Sequence, residues 1–135
     1  MKGLRLYKKE KLCSAVAIDR LFTRGGGATA ALAFPLRAVW GADPGRRSDA
    51  PLAFVIMVPK RRLRHAVDRV LMRRRIREAY RLARPDFPMP EGTRLDLALV
   101  FVADRTLPFD AVDRAVRRLL AKIQQSLSPL RDEQD

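Results

Sequence analysis

Apolar side chains change their spacing several times along the chain, and each change marks an element. From about Lys9 to Thr23 they recur at helical spacing, with Leu12, Val16 (or Ala15), Ile18 and Leu21-Phe22 on one side. The glycines Gly25 to Gly27 end that helix. The stretch ALAFPLRAVW, Ala31 to Trp40, reads as a strand with Phe34, Leu36, Ala38 and Trp40 on one face and Arg37 on the other. Pro35 inside it predicts an edge position or a bulge. PLAFVIMV, Pro51 to Val58, is a continuous apolar run of strand length. With the turn-rich GADPGRRSDA between the two runs, they predict a hairpin.

A basic connector, Lys60 to Arg64, then leads into a helix from about Ala66 to Ala83. The prolines and glycine of RPDFPMPEG break the chain after it. RLDLALVFVA, Arg94 to Ala103, is a third strand. In the last element Phe109, Val112, Val116, Leu119, Ile123 and Leu127 recur at spacings of three and four, an amphipathic helix with Pro108 in its first turn. The order α-β-β-α-β-α predicts an α+β sandwich, helices packed on a mixed sheet, as one domain over 1–127. The tail SPLRDEQD, 128–135, is expected to fray.

Charge changes this picture from fold to partner. The 135 residues carry 28 cations against 15 acids, a net +13, and 22 of the cations are arginine. Arginine presents a planar fork of donors matched to phosphate oxygens, so the bias favours nucleic acid over mere solubility. A lone cysteine, Cys13, makes no internal disulfide and fits a reducing cytosol, so a cytoplasmic location is expected. No apolar run reaches membrane-spanning length, and the N-terminus lacks the clean apolar core of a secretory signal.

The cations concentrate on the second helix. Met72, Ile76, Ala79 and Ala83 are spaced four, three and four and form a core stripe. Arg73, Arg77, Arg81 and Arg84 form a second stripe, flanked by Arg74. From Lys60 to Arg84 eleven cations meet only two acids, Asp68 and Glu78. Like charges at i,i+4 repel, so this face makes sense when a polyanion covers it. A membrane helix would need the apolar stripe for lipid, and a helix-turn-helix would need a helix where a strand is expected. RNA, held mainly through phosphates, fits best.

A catalytic set is not evident. His65 is the single histidine and stands beside the basic connector, positioned for phosphate contact or solvent. Asp96 and Asp104 could be imagined as Mg²⁺ ligands of a protein nuclease. Asp104 more readily caps a turn, and Asp96 is expected to face water or an arginine.

The segment KRRLRHAVDRVLMRRRIREAYR resembles the signature of the bacterial ribonuclease P protein component. Lys60-Arg61 match its basic pair, Ala66-Val67 its Ala-Val, Arg69 its first arginine, Arg73 and Arg74 its Lys/Arg-Arg pair, and Arg77-Glu78 its terminal Arg-Glu. IDRLFTRG and LDLALVFVADR are similar to other parts of the family pattern. The resemblance implies a left-handed βαβ crossover and an RNA-binding subunit with no catalytic residue of its own. That subunit joins a catalytic RNA, which removes the 5′ leader of precursor tRNA with RNA-bound Mg²⁺. It implies phosphate contacts from Lys60, Arg61, Arg69, Arg73, Arg74, Arg77 and Arg81, and a leader cleft between sheet and first helix with Phe22 and Arg37 as candidates. It implies no membrane, small-molecule or protein-bound metal partner. Two rivals remain: a ribosome- or assembly-associated RNA-binding module, and a stand-alone metal-dependent nuclease. The chain departs from the family pattern at Val70-Leu71, where Asn and Arg are usual. That pair is expected to pack under the connector.

Overall fold

The structure, a computed structural model, describes Ile18, Leu21, Phe22 and residues 28–42, 52–90, 93 and 95–127. Most of the expected N-terminal helix, the glycine run, Cys13, the 43–50 loop and the 128–135 tail lie outside the described residues.

Four strands form one sheet in the order β1-β2-β4-β3: β1 Thr29–Ala33, β2 Leu36–Ala42, β3 Leu52–Met57 and β4 Leu95–Phe101. Two helices, α1 Ala66–Ala83 and α2 Phe109–Ser126, pack on one face. This is the α+β sandwich that the apolar pattern predicts. Two details differ. The expected strand Ala31 to Trp40 is a hairpin, because Phe34-Pro35 turns the chain and β1 runs back antiparallel to β2. Phe34 leaves the core face for the turn and is 59% exposed, while Leu36, Ala38 and Trp40 are buried. The hairpin expected between the second and third apolar runs does not form. β4 inserts between β2 and β3, antiparallel to the first and parallel to the second.

That insertion explains why β4 is apolar on both sides: it is the strand covered on two faces. Toward the helices, Leu95, Leu97, Leu99 and Phe101 join Leu36, Trp40, Phe54, Met72, Ile76, Val116 and Leu119 in the main core. The rings of Phe54 on β3 and Tyr80 on α1 lie 4.3 Å apart, seating α1 over the β3 side. The opposite face carries a smaller cluster of Leu21, Val39, Ala53 and Ala98, with Ile18, Val55, Met57 and Val100 against it. Asp96 is also on this opposite face and is 2% exposed, so of the two expected surroundings, water and an arginine, open water is excluded.

Candidate nucleic-acid interface

Helix α1 divides along its length as the spacing predicts. Met72, Ile76, Ala79 and Ala83 are buried, joined by Tyr80. Arg73, Arg74 and Arg77 are exposed and make no ion pair with a described residue. Arg81 is half-buried and held by Glu78, Nε donating to Oε1 at 2.9 Å and Nη2 to Oε2 at 2.7 Å. This hydrogen bond keeps the Glu78 carboxyl below the ordinary glutamate range and raises the Arg81 guanidinium. One face of α1 therefore presents a dense positive field with a single acid on it, Glu78.

Tertiary contacts sort the other arginines of α1. Arg69 directs its Nη1 back along the chain, donating to the carbonyls of Leu63 at 2.8 Å and Arg64 at 2.9 Å. It ties down the connector that carries Lys60 and Arg61, both exposed. Arg75 lies on the flank toward α2, where its Nη1 donates to the Leu107 carbonyl. The sequence stripe has no place for Arg75, and the reason is its partner, 32 residues downstream. Val70 is 41% exposed on the cationic face and Leu71 is half-buried beside it. Neither belongs to the buried core, so the expectation that this pair packs under the connector is corrected for Val70.

The connector borders an open groove of about 470 Å³. Arg61, Arg62, Arg64 and Arg105 line it together with His65, Asp68 and Asp104. His65 is exposed here and also caps α1 through its backbone, its carbonyl accepting from the Asp68 and Arg69 amides.

The opposite sheet face differs from one end of the strands to the other. Leu21 covers Gly41, Val39, Ala53 and Ala98 toward one end of the strands. At the other end the rung Leu32–Arg37–Val100–Met57 is open at Arg37, which is exposed, and at Leu32, which is 60% exposed, while Val100 and Met57 are half-buried. Phe22, 42% exposed, follows the helical residue Leu21. Because β3 leaves the sheet at Met57, Lys60 and Arg61 emerge at the same open end.

Asp96 and Asp104 do not meet. Asp96 is the second residue of β4 and Asp104 lies three residues past its end, and the five strand steps from Asp96 to Phe101 alone span roughly 16–17 Å. Asp104 is exposed and pairs with Arg105 at 3.6 Å. Among the described residues no three His, Cys, Asp or Glu side chains are grouped to hold a metal ion, and no helix is long and apolar enough to cross a membrane.

The family model described as Ribonuclease P matches residues 6–124. Two relatives, each the ribonuclease P protein component of a strain of Porphyromonas gingivalis, are 31% identical over 121 residues, spanning 87% of this chain and 85% of theirs. In fold, the chain is similar to the RNase P protein of Staphylococcus aureus, with a TM-score of 0.64, 12% identity, and coverage of 88% of this chain and 98% of that one. With the family match extending over residues 6–124, most of the sequence, the chain belongs to the ribonuclease P protein family.

Proposed function

We propose that this protein is the RNA-binding subunit of a ribonucleoprotein endonuclease that removes the 5′ leader from precursor tRNA. The observation that carries the reading is the α1 face of Arg73, Arg74 and Arg77, exposed and without acid partners among the described residues, in a chain of this family. Each of these guanidiniums can accept a phosphate without first breaking an ion pair. Lys60 and Arg61, on the connector that Arg69 holds, extend the same field toward the open end of the sheet. Arg81 joins it as a cation shared between Glu78 and phosphate. The sheet face that carries Arg37, with Phe22 as a further contact, would take the leader. An extended single strand fits there because a base can lie on apolar Val100 and Met57 while Arg37 takes a phosphate.

Hydrolysis in this reading belongs to Mg²⁺ on the RNA subunit. The protein contributes affinity and position, and no proton transfer is assigned to its side chains. The separation of Asp96 from Asp104 weighs against a stand-alone nuclease.

The test is reconstitution at low Mg²⁺ with the RNA subunit and a precursor tRNA. Leader removal is expected only with both RNA subunit and protein present. Cleavage by protein alone would support the nuclease, and absence of any stimulation would support a binding module without a processing role. Affinity for the RNA subunit should fall with salt, log K against log salt having a slope of roughly 0.7–0.9 per phosphate contact.

A further inference from the structure

Helix α2 carries cations on two flanks, and the fold treats them differently. Arg117 faces α1: it donates to Asp86 at 2.9 Å and to both Asp113 oxygens at 3.3 Å. These carboxylates hold its guanidinium above the ordinary arginine value, the Asp86 hydrogen bond foremost. Arg114, Arg118 and Lys122, spaced four and four, run along the flank over the β1 edge. Arg114 and Arg118 are exposed and make no ion pair with a described residue. Lys122 reaches the edge itself, its Nζ donating to the Leu32 carbonyl at 3.3 Å.

At the end of the same edge stands Phe34. Its ring is more than half exposed, at the mouth of an open groove of about 230 Å³ shared with Arg114 and Arg118. A large exposed aromatic lining one groove with two arginines that lack acid partners among the described residues is an arrangement that stacks a base while the guanidiniums hold phosphates. A second copy of this chain is a poor occupant, because a +13 molecule repels itself at a cationic patch.

The patch is also continuous with the proposed leader cleft. Arg37 pairs with Leu32 across the β1–β2 ladder, Leu32 is exposed on the cleft face, and Lys122 meets the Leu32 backbone from the other face. A strand crossing the open rung from Arg37 to Leu32 arrives at the β1 edge, where the next cations are Lys122 and Arg118. We propose that Phe34, Arg114 and Arg118 form a second single-strand subsite, which takes leader nucleotides that pass round the β1 edge after leaving the cleft. This rests on the reading of the protein as a leader-binding subunit.

The experiment measures binding of the reconstituted holoenzyme to precursors with leaders of about four and about twelve nucleotides, a span matched to known single-strand site sizes. The wild type should hold the longer leader more tightly. Phe34→Ala and the double variant Arg114→Ala/Arg118→Ala should each lose about tenfold in affinity for the long leader, the size of a lost base stack. Their short-leader affinity, RNA-subunit affinity and melting temperature should stay at wild-type values, and Phe34→Tyr, which keeps the ring, should retain long-leader binding. Equal losses for both leaders, no loss for either, or a loss confined to RNA-subunit binding would overturn the subsite while the holoenzyme remains active. Wild-type holoenzyme that fails to process even the short-leader precursor would overturn the functional reading and the subsite with it.

Discussion

Arg69 and Arg73 look equivalent in sequence, and the structure predicts that replacing them has opposite signatures. Arg69 Nη1 makes two charge-assisted hydrogen bonds to connector carbonyls, one part-buried and one exposed. A charged hydrogen bond contributes about 1.5–3 kcal/mol when sheltered and less when open to water. Allowing about 0.5 kcal/mol for the exposed bond, and a few tenths returned by alanine's better helix propensity, Arg69→Ala should destabilise the fold by roughly 2 kcal/mol. For a chain of this length each kcal/mol shifts Tm by about 3–4 °C, so a fall of roughly 6–8 °C is expected.

Binding to RNA should weaken as well, for a reason the salt dependence exposes. Lys60 and Arg61 still neutralise phosphates in the complex, but a loosened connector must be ordered on binding. Affinity therefore drops while the salt slope holds. Arg73 is exposed and without an ion-pair partner among the described residues, so Arg73→Ala should leave Tm unchanged and lower the slope by about 0.7–0.9. Arg69→Lys separates charge from geometry: an ammonium cannot reproduce the fork, so Tm should still fall while the charge is kept. The assays are thermal melts and filter-binding titrations at several salt concentrations. An Arg69→Ala protein that melts like the wild type and loses one unit of slope would refute the positioning role and make Arg69 a plain phosphate contact.

Four further outcomes follow from the same structure. Ile76→Ala opens a cavity under α1 at a fully buried site and should cost about 2–5 kcal/mol in chemical denaturation, with no change in the denaturant slope. Val70→Asn, at an exposed position, should leave Tm within about 1 °C. Leu71→Arg should steepen the salt slope by about 0.7–0.9, and a flat response would mean that residue 71 does not reach phosphate. Glu78 has a lowered folded pKa, so its contribution is full above the ordinary glutamate value of about 4.3 and fades as pH falls through the lowered one. Melts from pH 6 to about 3 should therefore show a slightly larger loss for wild type than for Glu78→Gln, and parallel curves would count against the Arg81 bond.

Much of the fold can be read from spacing, and the exceptions have physical causes. The two stripes of α1 are visible because a 3.6-residue period separates Met72, Ile76 and Ala79 from the arginines without overlap. The Phe34-Pro35 turn is hidden by small residues. Before it Ala31 and Ala33 face the main core, and after it Leu36, Ala38 and Trp40 do, so the inward positions change from odd to even. Alanines do not advertise a face, and the alternation after the turn extrapolates smoothly to Phe34. The insertion of β4 between β2 and β3 has no local signature, because pairing between strands more than 35 residues apart is decided by what α1 can cover. The apolar run of β4 on both its faces was the available hint of a central strand.

The arginines themselves show where composition stops and structure begins. Twenty-two arginines suffice to argue a polyanionic partner, since no pattern of 15 acids could neutralise them together with six lysines. They do not say which arginine meets that partner, because the deciding contacts come from elsewhere in the chain. Arg69 is taken by backbone five and six residues upstream, Arg75 by Leu107, Arg117 by Asp86, and Arg81 by Glu78 one turn away. Each bond lowers the gain from meeting a phosphate, which must first compete with a carbonyl or carboxylate already in place. Arg73, Arg74 and Arg77 on one side, and Arg114 and Arg118 on the other, face no such competition among the described residues. The fold thus turns a diffuse positive charge into two separate flanks, one on α1 toward the β3 side and one on α2 toward the β1 edge. An RNA that used the proposed leader cleft as well as these two flanks would contact the chain on both faces of the sheet, because the helices pack on one face and Arg37 lies on the other.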